Sequence, residues 1–179
     1  VINMKLEPTN RHVWLIYLIL IAFHTVPFLG QIEPRVFPDE FIYLAQAKFL
    51  AGKSPTPQVG QFIASDAKHR TVQPLSNQSF PYAHFGYSLL VVPAYWFTDN
   101  SDHSYKGAIV INSVLMSSLF VILYFWVKQI SNLSRGKAIT VALLASLYPA
   151  YNLQTHIGWS ENALIPFFAL SVLTLTLYL

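Results

Sequence analysis

Apolar residues in this chain gather into long, nearly unbroken runs, without the alternation of half-buried strands. Four runs, at 13–30, 108–127, 138–155 and 162–179, have the length a helix needs to cross a hydrocarbon core about 30 Å thick. Two shorter apolar stretches lie between the first and second runs. Asp39 to Ala51 (DEFIYLAQAKFLA) is preceded by Pro38 and followed by Gly52, the signals that start and stop a helix. Its apolar residues cover most of the circumference, with Gln46 and Lys48 as the expected polar relief. Tyr87 to Phe97 (YSLLVVPAYWF) is interrupted by Pro93. Neither is long enough to span, so both are predicted to lie in the membrane interface. The intervening Ser54 to Pro74, rich in Pro, Gln, Ser and Thr, reads as irregular. The expected fold is all-α: a polytopic membrane protein with about four transmembrane helices and a long extracytoplasmic first loop, 31–107, carrying two interfacial helices.

Charge orients this arrangement. The connector 128–137 holds Lys128, Arg135 and Lys137 and no acid, which places it in the cytoplasm by the positive-inside rule. The segment 1–12, with Lys5 and Arg11, falls on the same side. The loop 31–107 and the turn 156–161 are then extracytoplasmic. The first run follows basic residues as a signal peptide would. It is longer than a usual signal core, however, and Phe28-Leu29-Gly30 is a poor cleavage site, so it reads as an uncleaved anchor. The last run continues to the final Thr-Leu-Tyr-Leu without a polar tail, and the expectation is a fragment of a longer protein.

Composition narrows the classes. Apolar residues make up 54% and charged residues 11%, against about 25% charged in soluble domains. Mean hydropathy is +0.43. The net charge of +3 comes without a dense Lys/Arg patch, which excludes a nucleic-acid partner as the main reading. Absence of cysteine removes disulfides and every cysteine-based metal or nucleophile site. No phosphate-binding glycine loop, HExxH or GxSxG occurs.

The candidate chemistry is acidic and extracytoplasmic. Asp39 and Glu40 are adjacent carboxylates at the head of the first short helix. In a partly dry pocket such a group accepts a proton from a hydroxyl or helps to hold a divalent cation. Acids there also simply answer the positive end of a helix dipole. Glu161, after Ser160, opens the fourth run on the same side and has the same two readings. In Tyr82 to Tyr87 (YAHFGY), His84 suits phosphate or hydrogen bonding and Tyr87 belongs to an aromatic cluster. His156, in the outer turn near Glu161, is a further candidate. Arg70, with Arg35, Lys53 and Lys68, suits an anionic lipid headgroup, or simply solvent. His24, inside the first run, suits an interhelical hydrogen bond.

The order of these features resembles the GT-C superfamily of glycosyltransferases. It is nearest to bacterial relatives of protein O-mannosyltransferases and of the lipid A aminoarabinose transferase. The likeness rests on one span followed by Pro38-Asp39-Glu40 with Tyr43 and Ala45, and then a long outer loop. His84-Phe85-Gly86-Tyr87 running to Pro93, Asn112 early in the second run, and Leu147-Tyr148-Pro149 followed by Ser160-Glu161 complete it. The resemblance implies a polyprenyl-phosphate sugar as donor in the outer leaflet. It also implies inverting transfer to a hydroxyl of a glycan, lipid or protein in the cell envelope. Asp39 matches the family's general base, and Glu40 is its neighbour in the pair. His84, Tyr87, Arg70 and His156 would contact substrate. Asp39 with Glu161 would form the site of a divalent metal, magnesium or manganese, in the members that use one. A transporter or flippase segment and a non-catalytic assembly subunit are the alternatives from other classes. Transport is disfavoured because the acids lie at outer ends instead of mid-span.

Overall fold

The computed structural model describes residues 11–29, 38–53 and 85–179; of Pro38, Asp39, Phe41, Ser101, Asp102 and Asn152 it describes the backbone alone. Every regular element among the described residues is helical. They are α1 (Arg11–Thr25) with a 3₁₀ turn (Val26–Phe28), α2 (Pro38–Leu50), α3 (Phe85–Val91), α4 (Pro93–Trp96), α5 (Ser101–Ile130), α6 (Arg135–Ser146), α7 (Pro149–Gln154) and α8 (Glu161–Tyr178). Three segments among the described residues are long and apolar enough to cross a membrane: Arg11–Phe28, His103–Ile130 and Glu161–Tyr178.

The third expected span differs. Residues 138–155 were expected as one helix, and the chain forms α6 and α7 with a break at Leu147-Tyr148. The cause is Pro149. Its ring excludes the helical conformation from the residue before it, and Tyr148 takes the extended angles φ −54° and ψ 128°. Proline then starts α7 at a position where no backbone donor is required. Pro93 divides the second short stretch into α3 and α4, although Val92 before it keeps helical angles, φ −45° and ψ −44°.

The chain forms two compact units. One comprises residues 1–28, 112–156 and 161–179. Its core joins Val13 and Leu20 of α1, Phe120 and Tyr124 of α5, and Ala138 and Ala142 of α6. The two alanines stand one turn apart on α6, and small residues so placed let helices approach closely. Trp14, Leu15, Leu18, Ile19 and Phe23 of α1 face outward, as do Leu164, Phe167, Phe168 and Leu175 of α8. Exposed apolar rows of this extent suit a lipid environment better than water.

The second unit comprises residues 29–111 and 157–160. It contains α2, α3, α4 and the first part of α5, with α2 packed against α3. Helix α2 ends at Gly52, whose φ of +72° allows the left-handed turn. There Lys53 N–H bonds Lys48 C=O at 3.1 Å and Gly52 N–H bonds Phe49 C=O at 2.9 Å. Helix α5 starts earlier than its apolar run because Asn100 caps it. The Asn100 carboxamide oxygen accepts from His103 N–H at 3.2 Å.

Candidate functional site

The second unit holds a buried polar cluster on α2. Glu40 is fully buried, and its Oε1 accepts two hydrogen bonds. One comes from the Tyr105 hydroxyl at 3.1 Å and the other from the Gly158 backbone N–H at 2.8 Å. Both donors are far away in sequence, so the carboxyl joins α2 to the head of α5 and to the segment 157–160. Gly158 is required by the closeness of this approach. A Cβ there would lie 3.0 Å from Glu40 Cγ and 3.5 Å from Leu44 Cγ.

Further along α2, Tyr43 donates to Ser160 Oγ at 3.2 Å and packs edge-on against Tyr87. Gln46 is fully buried and accepts from the Ser88 hydroxyl at 2.8 Å. This corrects the expectation that Gln46 gives α2 polar relief. Its carboxamide is satisfied inside the unit because α3 supplies a serine opposite it. Tyr95 of α4 is 2% exposed, and its hydroxyl has no hydrogen-bond partner among the described residues. Burial holds that phenol well above its ordinary pKa, with Tyr87 and then Glu40 adding to the shift. At the surface, Lys53 pairs with Asp99 at 2.8 Å and lowers the Asp99 carboxyl pKa, first through the hydrogen bond and then through charge.

The sequence candidates divide accordingly. Glu40 and Tyr87 both belong to this cluster, buried and not presented to an open surface. Asp39 sits in the first turn of α2, and its side chain lies outside the described residues, as do His84 and Arg70 altogether. His156 and Glu161 belong to the other unit. There His156 is buried, stacked on Phe28, with Nε2 reaching Thr155 Oγ1 at 3.1 Å and the His24 carbonyl at 3.2 Å. A carbonyl only accepts, so Nε2 carries the proton in that bond. Asn112 Nδ2 donates to the Thr155 carbonyl at 3.3 Å, completing a polar strut in the apolar unit. The interhelical bond expected of the His24 side chain is not seen among the described residues, where its Nδ1 has no partner and its carbonyl accepts from His156 instead. Glu161 is the half-buried first residue of α8.

Sequence reasoning missed Tyr105, Gly158 and Tyr95. Gly158 had a signal, since a glycine in a short turn between helices often marks a close approach. Tyr105 and Tyr95 had none beyond their apolar surroundings. Among the described residues no three His, Asp or Glu side chains gather as a ready metal site. Compared with family models, curated proteins and solved structures, the chain matches none.

Proposed function

We propose that this chain is an integral-membrane glycosyltransferase of GT-C type, taking a sugar from a polyprenyl-phosphate donor to an acceptor hydroxyl at the outer face of the plasma membrane. One observation carries the reading: an acid pair opens the helix that follows the first apolar helix, and its second member is held in the core. The Glu40 carboxyl is fully buried, with one oxygen held by two donors, so it is not presented to an acceptor hydroxyl. The base role then falls to Asp39. As the acceptor oxygen attacks the anomeric carbon, Asp39 takes the hydroxyl proton. The bond from that carbon to the phosphate oxygen breaks, and polyprenyl phosphate leaves with inversion at the sugar. Such a reaction asks chiefly for a positioned base and limited water.

In the same reading His84, Arg70, Tyr87 and His156 act on the substrate side. Tyr87 and His156 are buried, each in its own unit, so in this reading neither is a direct contact. Asp39 would offer carboxylate oxygens, the donors a magnesium or manganese ion prefers. A bound ion would neutralise phosphate charge. Helices α2, α3 and α4 lie in the interface, where exposed Phe85, Leu89, Trp96 and Phe97 meet lipid. Helices α6 and α7 together make the fourth crossing as a broken helix. This assignment is supported by the packing of Ala138 and Ala142 with α1 and α5.

The test is Asp39→Asn in membranes supplied with radiolabelled polyprenyl-phosphate sugars. Transfer should fall at least about 100-fold, the usual contribution of a general base. Unchanged transfer removes the base assignment. Ion-coupled uptake without transfer would instead establish a transporter, and neither activity would leave an assembly subunit.

A further inference from the structure

We infer that Glu40 is a positioning residue whose clamp by Tyr105 and Gly158 sets the rotation of α2 about its axis, and with it where residue 39 stands. The inference rests on the proposed function only for what Asp39 does; the positioning is independent of it.

Burial alone leaves the rotation of α2 undetermined. Helix α2 is apolar around most of its circumference, and hydrophobic burial is non-directional. A helix of that kind packs almost equally well at several rotations. Hydrogen bonds do not allow that freedom, because a buried donor or acceptor left unpaired costs its full desolvation. Glu40, Tyr43 and Gln46 of α2 bond within the unit, three residues apart and therefore on one side of the helix. Their partners, Tyr105, Ser160 and Ser88, belong to three different segments of the same unit.

Glu40 dominates this set for two reasons. It joins two segments through a single oxygen, which accepts from both donors. Tyr105 is 1% exposed, so without Glu40 its hydroxyl would lose a partner inside the core. Gly158 admits the carboxyl only because it has no Cβ, as the 3.0 Å approach to Glu40 Cγ shows. Adjacent helical residues differ by about 100° in direction, so fixing position 40 fixes position 39.

The absence of cysteine makes this directly measurable. Asp39→Cys in the full chain is reconstituted in phosphatidylethanolamine–phosphatidylglycerol vesicles and labelled with a membrane-impermeant maleimide. Asp99→Cys, at a side chain 83% exposed, serves as the reference site. The ratio of the two labelling rates reads the placement of residue 39 independently of overall yield. Glu40→Gln, which keeps an accepting oxygen, should hold the ratio within about twofold, whereas Glu40→Ala and Tyr105→Phe should shift it about fivefold or more, the scale of one buried hydrogen bond. A ratio unchanged in both Glu40→Ala and Tyr105→Phe overturns the inference. Tyr105→Phe preserves volume and guards against simple misfolding. With sugar-phosphate substrate, Glu40→Ala should lower kcat with KM held, and Glu40→Gln should restore it. Full transfer by Asp39→Asn would remove the catalytic reading and leave the labelling result standing.

Discussion

Tyr95 and Gly158 show how single residues are constrained in the second unit. The Tyr95 hydroxyl is buried without a partner among the described residues, so its burial is a cost and not a contribution. Tyr95→Phe should therefore leave stability within about 1 kcal/mol of the parent or raise it, measured by denaturant unfolding in detergent. The same phenol gives a pH dependence. Its folded pKa is raised above the unfolded value near 10, so its neutral form is favoured by the fold. That contribution is fully present below about pH 10 and is lost as pH rises further, through the higher folded pKa. Tyr95→Phe should flatten that alkaline decline, and an identical pH profile in the variant would disprove the assignment. At Gly158 the expected outcome is opposite. Gly158→Ala puts a Cβ against Glu40 Cγ and should destabilise by about 1–3 kcal/mol, the range for overpacking. The exposed pair Lys53–Asp99 should matter little by comparison, as Asp99 is 83% exposed.

Helices in this chain begin and end where short polar or proline signals direct them. Asn100 gives α5 its start, and Asn100→Ala should cost about 1 kcal/mol, visible as faster amide exchange over the first turn of α5. Pro149 breaks the third apolar run, and replacing it tests that cause. Pro149→Ala should let α6 and α7 join and raise helix content by the one or two residues at the break, seen as amide protection at Leu147 and Tyr148. Much at this scale was legible beforehand. The start of α2 at Pro38 and its stop before Gly52 were readable because proline and glycine act locally through backbone angles alone. The break at Pro149 was equally readable in principle, but hydropathy counts apolar residues and takes no account of φ and ψ.

For the whole molecule, the exposed apolar rows of α1 and α8 and the three candidate spans make a definite demand on the environment. The chain should remain with membranes after alkaline carbonate extraction. If α6 and α7 cross as a broken helix, cysteines introduced at Lys137 and at Trp159 should be labelled from opposite sides by an impermeant maleimide. Labelling from one side would reduce the crossings to the three long helices.

The helical class, the apolar segments and the acid pair at the head of α2 were all determined by the sequence alone, because hydropathy, proline and glycine act over a few residues. That Glu40 turns inward was decided by tertiary structure. The partners of Glu40 stand 65 and 118 positions away in the chain, and nothing local to residue 40 announces a tyrosine and a bare backbone N–H waiting for it. The same holds for Gln46, polar in the sequence and fully buried in the fold, since a buried amide is admissible only where a distant segment supplies its hydrogen bond.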